Sequence, residues 1–226
     1  MKLNVPAIKV GSDDFVNINL IKNFIRFKKP IILSTGMSTE KNFDNVLKIR
    51  NINKKKIIFL LCTSEYPTSH INVNINKIDT IKKKIGKHLI GFSDHTQDNT
   101  ASIMAVAKGC CFFEKHFTLN NNQPGPDHAF SCNPFQLKSW VNSIRNAYKC
   151  MGDFKIKPTK KEKINKEHYQ RKIIAKTNLK KGSVIKFENV ILLRTSDAKA
   201  LPSDKLIKIL GRKVKQNIKK GDPIKL

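Results

Sequence analysis

His88-Leu89-Ile90-Gly91-Phe92-Ser93-Asp94-His95 and, one helical segment later, Cys110-Cys111-Phe112-Phe113-Glu114-Lys115-His116-Phe117-Thr118 decide how this chain folds. Each run is mostly apolar until its C-terminal end and then turns polar or ionisable. Near-continuous apolar runs of this kind suit parallel strands buried on both faces. Residues 7–12, 30–35 and 56–63 have the same build. Between the runs, helical spacing appears in Leu20, Phe24 and Phe27, in Phe43, Val46, Leu47 and Arg50, and in Ile78, Ile81 and Ile85. Strand alternating with helix at intervals of roughly 20 to 30 residues predicts repeated βα units, an α/β class. Such sheets carry their sites beyond the strand C-termini. Lys9, Ser12, Ser34, Thr63, Ser64, Ser93, His95, Glu114 and His116 should therefore converge on one rim.

The composition bounds the partners. The 226 residues, 39% hydrophobic, suffice for one large domain or a medium and a small one. Lys and Arg number 44 against 17 Asp and Glu, a net charge of +27 that by itself suggests nucleic acid, anionic lipid or anionic small molecules. The lysines run along the whole chain beside abundant Asn and Ile, and no zinc finger, basic helix with interleaved aromatics or RNA-binding strand signature accompanies them. No nucleic-acid partner is expected. Cys62, Cys110, Cys111, Cys132 and Cys150 show no CxxC spacing and read as reduced thiols, most of them in the core. Met1-Lys2-Leu3-Asn4-Val5-Pro6 has no signal-peptide apolar region, and no stretch approaches the ~20 apolar residues of a membrane span. The expected compartment is the cytoplasm, with no membrane partner.

A helix is expected from Pro134 to Cys150, with Phe135, Leu137, Trp140, Val141 and Ile144 as its buried stripe. The chain then turns at Gly152. Residues 1–152 read as the large domain, 153–167, polar and broken by Pro158, as an exposed linker, and 168–226 as a second domain. In that second domain Asn178-Leu179-Lys180-Lys181-Gly182 is echoed by Asn217-Ile218-Lys219-Lys220-Gly221, each ahead of a short apolar run. A tight-turn design used twice predicts a small β-rich domain with internal pseudo-symmetry.

His95 and His116 each follow a buried strand, on neighbouring strands. Two imidazoles so placed can hold a divalent ion and leave positions open for water and substrate oxygen. Either histidine alone could equally satisfy backbone groups at a strand end. Glu114 lies two residues before His116, on the same strand face, and could order water or accept a hydrogen bond. A Ser93, Asp94, His95 triad is disfavoured because adjacent strand residues point to opposite faces. Cys62, inside an apolar run, reads as core rather than as a nucleophile. Lys9, Ser12, Ser34 and Ser93 would make a cradle for phosphate or carboxylate. Pro124-Gly125-Pro126-Asp127-His128 forms a rigid loop that would hold Asp127 over the rim, unless Asp127 caps the next helix.

Taken together, Lys9-Val10-Gly11-Ser12, Pro30-Ile31-Ile32-Leu33-Ser34-Thr35-Gly36-Met37, Cys62-Thr63-Ser64-Glu65-Tyr66-Pro67, Gly91 to Thr96, Glu114 to Thr118 and Pro124 to Asp127 resemble the sialic acid synthase family. The C-terminal repeat resembles the antifreeze-like (SAF, β-clip) domain of such synthases. The resemblance implies condensation of phosphoenolpyruvate with N-acetylmannosamine or a related acylamino sugar. By the same token His95 and His116 would bind Mn²⁺ or Mg²⁺, which polarises the open-chain aldehyde for attack by the enol carbon. Lys9, Ser12, Ser34 and Ser93 would hold phosphoenolpyruvate, and Ser64, Tyr66 and Asp127 the sugar side. Glu114 would orient the water that captures the oxocarbenium-like centre before phosphate leaves. Arg194 would extend from the SAF domain to the sugar in a partner's barrel, which implies a domain-swapped homodimer. Ser64 replaces an asparagine found in some members, which leaves the sugar open, and Thr195 and Ser196 replace the usual proline and glycine beside Arg194.

A complete eight-unit barrel needs around 250 residues, whereas about 150 precede the linker here and show five strands. The expected architecture is thus an incomplete (β/α)8 TIM-type barrel of about five βα units followed by a SAF domain, with three βα units supplied by a complementing N-terminal chain or lost. A non-catalytic remnant or binding subunit is the competing expectation.

Overall fold

The computed structural model describes residues 4–225; Met1–Leu3, on which part of the N-terminal reading rests, and Leu226 lie outside the described residues. The chain divides into two compact units, Met1–Asp153 and Phe154–Leu226, each with its own apolar core.

The first unit is built on five parallel strands, β1 (Ile8–Val10), β2 (Ile31–Ser34), β3 (Ile57–Cys62), β4 (Leu89–Asp94) and β5 (Phe112–Lys115), lying side by side in sequence order. The sheet curls into a half-barrel. Its register sets Leu33 beside Phe59 and Phe59 beside Ile90, so one face of three strands forms a continuous apolar layer. Against that layer pack α1 (Ile18–Ile25), α2 (Glu40–Leu47), α4 (Lys77–Ile85) and α5 (Thr100–Ala107). Phe59 is fully buried, with the Phe15 ring 6.4 Å and the Phe43 ring 6.1 Å away. Ring contacts of this kind add to the hydrophobic term.

Helix α4 buries Ile78, Ile81 and Ile85, as their spacing predicts. Helix α1 differs: it buries Ile21 and Ile25, while Phe24 is half-buried and Phe27 is exposed. The Asn17 side chain accepts from the Leu20 N–H and caps the start, and the helix ends at Ile25 with Arg26 as its C-cap, so Phe27 falls beyond it. A short helix, α3 (His70–Val73), intervenes before α4. Helix α6 (Pro134–Met151) also departs from its expected stripe. Trp140 is buried, Leu137, Val141 and Ile144 are half-buried, and Phe135 lies on the surface. The capping box of Asn133 with Gln136 puts Phe135 in the first turn. Polar contacts, such as Asn99 Nδ2 donating to Ser143 Oγ at 2.9 Å, join α6 to the α5 end. Three cysteines are buried and two, Cys111 and Cys150, are exposed. Burial pushes the Cys110 thiol up to about 12.

The second unit pairs β6 (Lys172–Ala175) antiparallel with β7 (Val190–Leu193) and adds isolated bridges, including Leu179 with Ile218. The two sequence repeats meet each other there. Leu179 N–H donates to Ile218 O and Ile218 N–H to Leu179 O, both at 2.8 Å. Asn178 Oδ1 accepts from Lys220 N–H and Asn217 Oδ1 from Lys181 N–H, again both at 2.8 Å. Gly182 (φ 86°) and Gly221 (φ 91°) take the left-handed turn that a side chain would strain. The pseudo-symmetry is therefore a pair of turns that satisfy one another. A short helix, α8 (Leu206–Ile209), contributes Ile209 to the core.

Across the second half of the stretch read as a linker and the first two residues expected of the second domain, the structure has a helix, α7 (Lys160–Tyr169), whose residues are all exposed. The capping box of Thr159 with Glu162 starts it, and Pro158 lies before its first turn, where it breaks nothing. Among the described residues no helix is long and apolar enough to cross a membrane.

Candidate active site

A cavity of about 420 Å³ opens where the five strands end, lined by residues of every strand or of the loop that follows it. Strand alternation explains its contents. Lys9 stands between buried Ile8 and Val10 and so faces the other side of the sheet from the helix layer. Ser93 and Glu114 are register partners on β4 and β5. Ser93 Oγ donates to Glu114 Oε1 at 2.8 Å, and Lys9 Nζ lies 3.6 Å from Glu114 Oε2. The Lys9 ammonium also donates to Val10 O at 3.0 Å. A carboxylate thus sits between a hydroxyl and a cation at the cavity floor.

Ser12 Oγ accepts from the Gly36 N–H at 3.0 Å and points to Cys62 Sγ at 3.4 Å. Ser34 Oγ is buried with no hydrogen-bond partner. Ser64 Oγ has none in hydrogen-bonding geometry; burial raises the pKa of the nearby Tyr66 phenol, and Ser64 offsets only part of that rise. Leaving a buried hydroxyl unpaired costs about 1–3 kcal/mol, so such groups call for an explanation. Both serines line the cavity.

The two imidazoles lie with ring centroids 5.1 Å apart. His95 Nδ1–H donates to Thr63 O at 2.7 Å, which fixes the tautomer and leaves Nε2 as the lone-pair nitrogen. Burial, aided by the positive potential of His116, holds the His95 pKa below its ordinary value and keeps the ring neutral at pH 7. His116 Nδ1 lies 3.6 Å from Asp127 Oδ2. Tyr66 packs over both rings, 4.4 Å from His95 and 5.5 Å from His116 between centroids, and Phe130 stands 5.2 Å from His116. Among the described residues no three His, Cys, Asp or Glu side chains form a metal-ligating cluster. The donor set here is two nitrogens, one already oriented by a carbonyl and the other near a carboxylate.

Lys9, Ser12, Ser34, Ser64, Tyr66, Ser93, His95, Glu114 and His116 all line this one cavity. Asp127, exposed in the loop after β5, reaches it through His116; the helix cap that sequence offered as its other role belongs to Asn133. Arg194 belongs to the second unit, its guanidinium 5.9 Å from the centre of the Tyr169 ring. Cys62 is buried, but it also lines the cavity, so its reading as plain core is incomplete. The signal was present: Cys62 shares strand parity with Ser64 and pairs in register with Ser93. Asp13 and Met37 line the cavity from loops and, like Phe130, carried no pattern that sequence could read.

A parallel half-barrel with polar side chains gathered beyond its strand ends is the architecture of barrel-type α/β enzymes. The model of the NeuB family matches residues 1–156 and that of the SAF domain residues 170–226. The chain belongs to the NeuB family and carries a SAF domain. A protein of Methanocaldococcus jannaschii is 38% identical over 99% of this chain and 66% of its own length. An N,N'-diacetyllegionaminic acid synthase of Campylobacter jejuni is 34% identical over 99% of this chain and 67% of its own length. The crystal structure of an N-acetylneuraminic acid (sialic acid) synthetase from Leptospira borgpetersenii in complex with citrate superposes with a TM-score of 0.66 at 30% identity, covering 73% of this chain and 57% of that one. This chain spans about two thirds of the length of the curated relatives it matches.

Proposed function

We propose that the first unit is the phosphoenolpyruvate-binding part of a synthase that joins phosphoenolpyruvate to N-acetylmannosamine or a related acylamino sugar, giving a nine-carbon 2-keto acid and phosphate. The observation that carries the reading is the buried, unpartnered Ser34 hydroxyl in a cavity that also holds Lys9, Ser12, Ser93 and two imidazoles. An anionic oxygen would complete that hydroxyl and meet the Lys9 ammonium. Ser12, Ser34 and Ser93 then bind phosphate or carboxylate oxygens, while Ser64, Tyr66 and Asp127 position the sugar.

His95 and His116 would hold a divalent ion, Mn²⁺ or Mg²⁺, and their donor set suits one: two imidazoles, one of which, His95, has its Nδ1 already bound to a carbonyl. When bound, the ion would supply Lewis-acid polarisation of the sugar aldehyde. Glu114 orients the attacking water and holds its proton, its two oxygens steadied by Ser93 and Lys9.

The sheet ends at β1 and β5 among the described residues. We propose that further βα units, on the same or a complementing chain, close the barrel, and that Arg194 serves the site of a partner in a domain-swapped dimer in the cytoplasm. The test supplies the chain with the complementing units, Mn²⁺ and a panel of acylamino sugars, and measures phosphate release from phosphoenolpyruvate. Sugar-dependent release that is abolished by His116→Ala is expected. Absence of release with every sugar would sink the synthase reading in favour of a non-catalytic binding subunit.

A further inference from the structure

Between the site residues lie two that face the other way. Ser93 and His95 line the cavity, and so do Glu114 and His116. Asp94 and Lys115, the residues between them, are register partners whose side chains enter the layer under α5 and α6. There they form an ion pair at 3.2 Å, with side-chain exposures of 0% and 5%. Charges are taken so far from water only when they are fully hydrogen-bonded. Here they are. Asp94 Oδ1 accepts from the Thr96 N–H and hydroxyl at 2.9 and 2.8 Å. Oδ2 accepts from Ser102 Oγ at 2.6 Å and Trp140 Nε1 at 3.2 Å. Lys115 Nζ donates to Thr96 O at 2.6 Å.

Those bonds close around one residue. Thr96 follows His95, and its N–H, hydroxyl and carbonyl are all held by the pair. Residues 94 and 96 are therefore both fixed, and His95 is suspended between them, its own carbonyl accepting from the Thr68 N–H at 2.8 Å. The same pair ties β5 to β4 at the step before His116. We propose that Asp94 and Lys115 are positioning residues: a buried ion pair, braced by Ser102 and Trp140, that sets the orientation of His95 and its spacing from His116 and so tunes the metal site. The inference rests on the proposed metal reading for its functional consequence, and on hydrogen bonds alone for its geometry.

The test uses the full chain, the double variant Asp94→Asn/Lys115→Met, which removes both charges together, and the gentler Ser102→Ala, which removes one bond to Asp94 and one from Trp140. Circular dichroism establishes that each is folded. Two readouts follow: Mn²⁺ affinity by electron paramagnetic resonance, and the His95 tautomer by imidazole ¹⁵N shifts without metal. In the unaltered chain the shifts should report Nδ1–H. In the double variant the tautomers should mix and Mn²⁺ should bind about ten- to hundred-fold more weakly, the usual effect of losing an outer partner of a metal ligand. Ser102→Ala should move both readouts the same way by a smaller amount. A changed tautomer in a protein that never bound Mn²⁺ would overturn the metal reading and uphold the positioning. If the double variant does not fold, Ser102→Ala decides. A folded variant with the unaltered tautomer and Mn²⁺ affinity within about two-fold would overturn the proposal.

Discussion

The two units handle polar groups at their chain turns in opposite ways. In the half-barrel, strand-end side chains gather at one cavity and part of their bonding capacity is left over, as at the Ser34 hydroxyl. In the second unit, the equivalent groups close on one another: Asn178 and Asn217 each cap the other repeat's turn. Polar side chains that saturate each other build a fold, whereas those left unsaturated around a cavity are available to a ligand.

The largest way to break the contrast is through the cores. Phe59→Ala should destabilise the first unit by about 3–5 kcal/mol, because a fully buried ring leaves a cavity against Phe15 and Phe43. Hydrogen exchange should show amides of the first core losing protection while those around Ile173 and Ile224 keep theirs, since the two cores are separate clusters.

Next comes the backbone of the second unit. Gly221→Ala, at φ 91° with nothing within reach of the new methyl, should cost about 1–2 kcal/mol from backbone strain alone, read as a shift in the denaturation midpoint. The sharpest form of the comparison is a pair of smaller changes of opposite sign. Asn217→Ala should lower the stability of the second unit by about 1 kcal/mol, whereas Ser34→Ala should raise that of the first by a similar amount. Ser34→Ala should also weaken phosphoenolpyruvate binding, measured by calorimetry. Stability lost at both positions would remove the distinction drawn between them.

The mildest effect is that of acid. Burial lowers the pKa of His95 and also of His88, which donates from Nε2 to Asn53 Oδ1. For a group whose folded pKa is depressed, the unfolded chain binds protons first. The stability of the first unit should therefore be complete above the ordinary histidine value, about 6.5, and decline as pH falls through the lowered ones. Melting curves between neutral and mildly acid pH check both halves of the statement.

Much of this was legible in advance, for reasons that can be traced to particular residues. The strands β2 to β5 are buried on both sides or end in a polar group, so their apolar runs mark them and their last residues mark the cavity. Helix α4 was legible because Ile78, Ile81 and Ile85 have no competitors nearby. Helix α1 was not, since Leu20, Phe24 and Phe27 offer a stripe that rivals the buried Ile21 and Ile25, and the helix ends before Phe27. The lysine-rich stretch before β6 hid α7, whose helix depends on a local cap rather than on an apolar face. At the cavity, parity along β3 could have placed Cys62, but no periodicity reaches Phe130, which arrives on a loop. The outward neighbours Asp94 and Lys115 looked like ordinary strand-end charges until α6 was in place above them.

The reciprocal turns of the second unit also bear on how such a sequence can change. One short word, Asn-apolar-Lys-Lys-Gly, is written twice and specifies both sides of a single contact. A spelling altered in one copy is therefore felt at the turn of the other: losing Asn178 strands the Lys220 amide, and losing Asn217 the Lys181 amide.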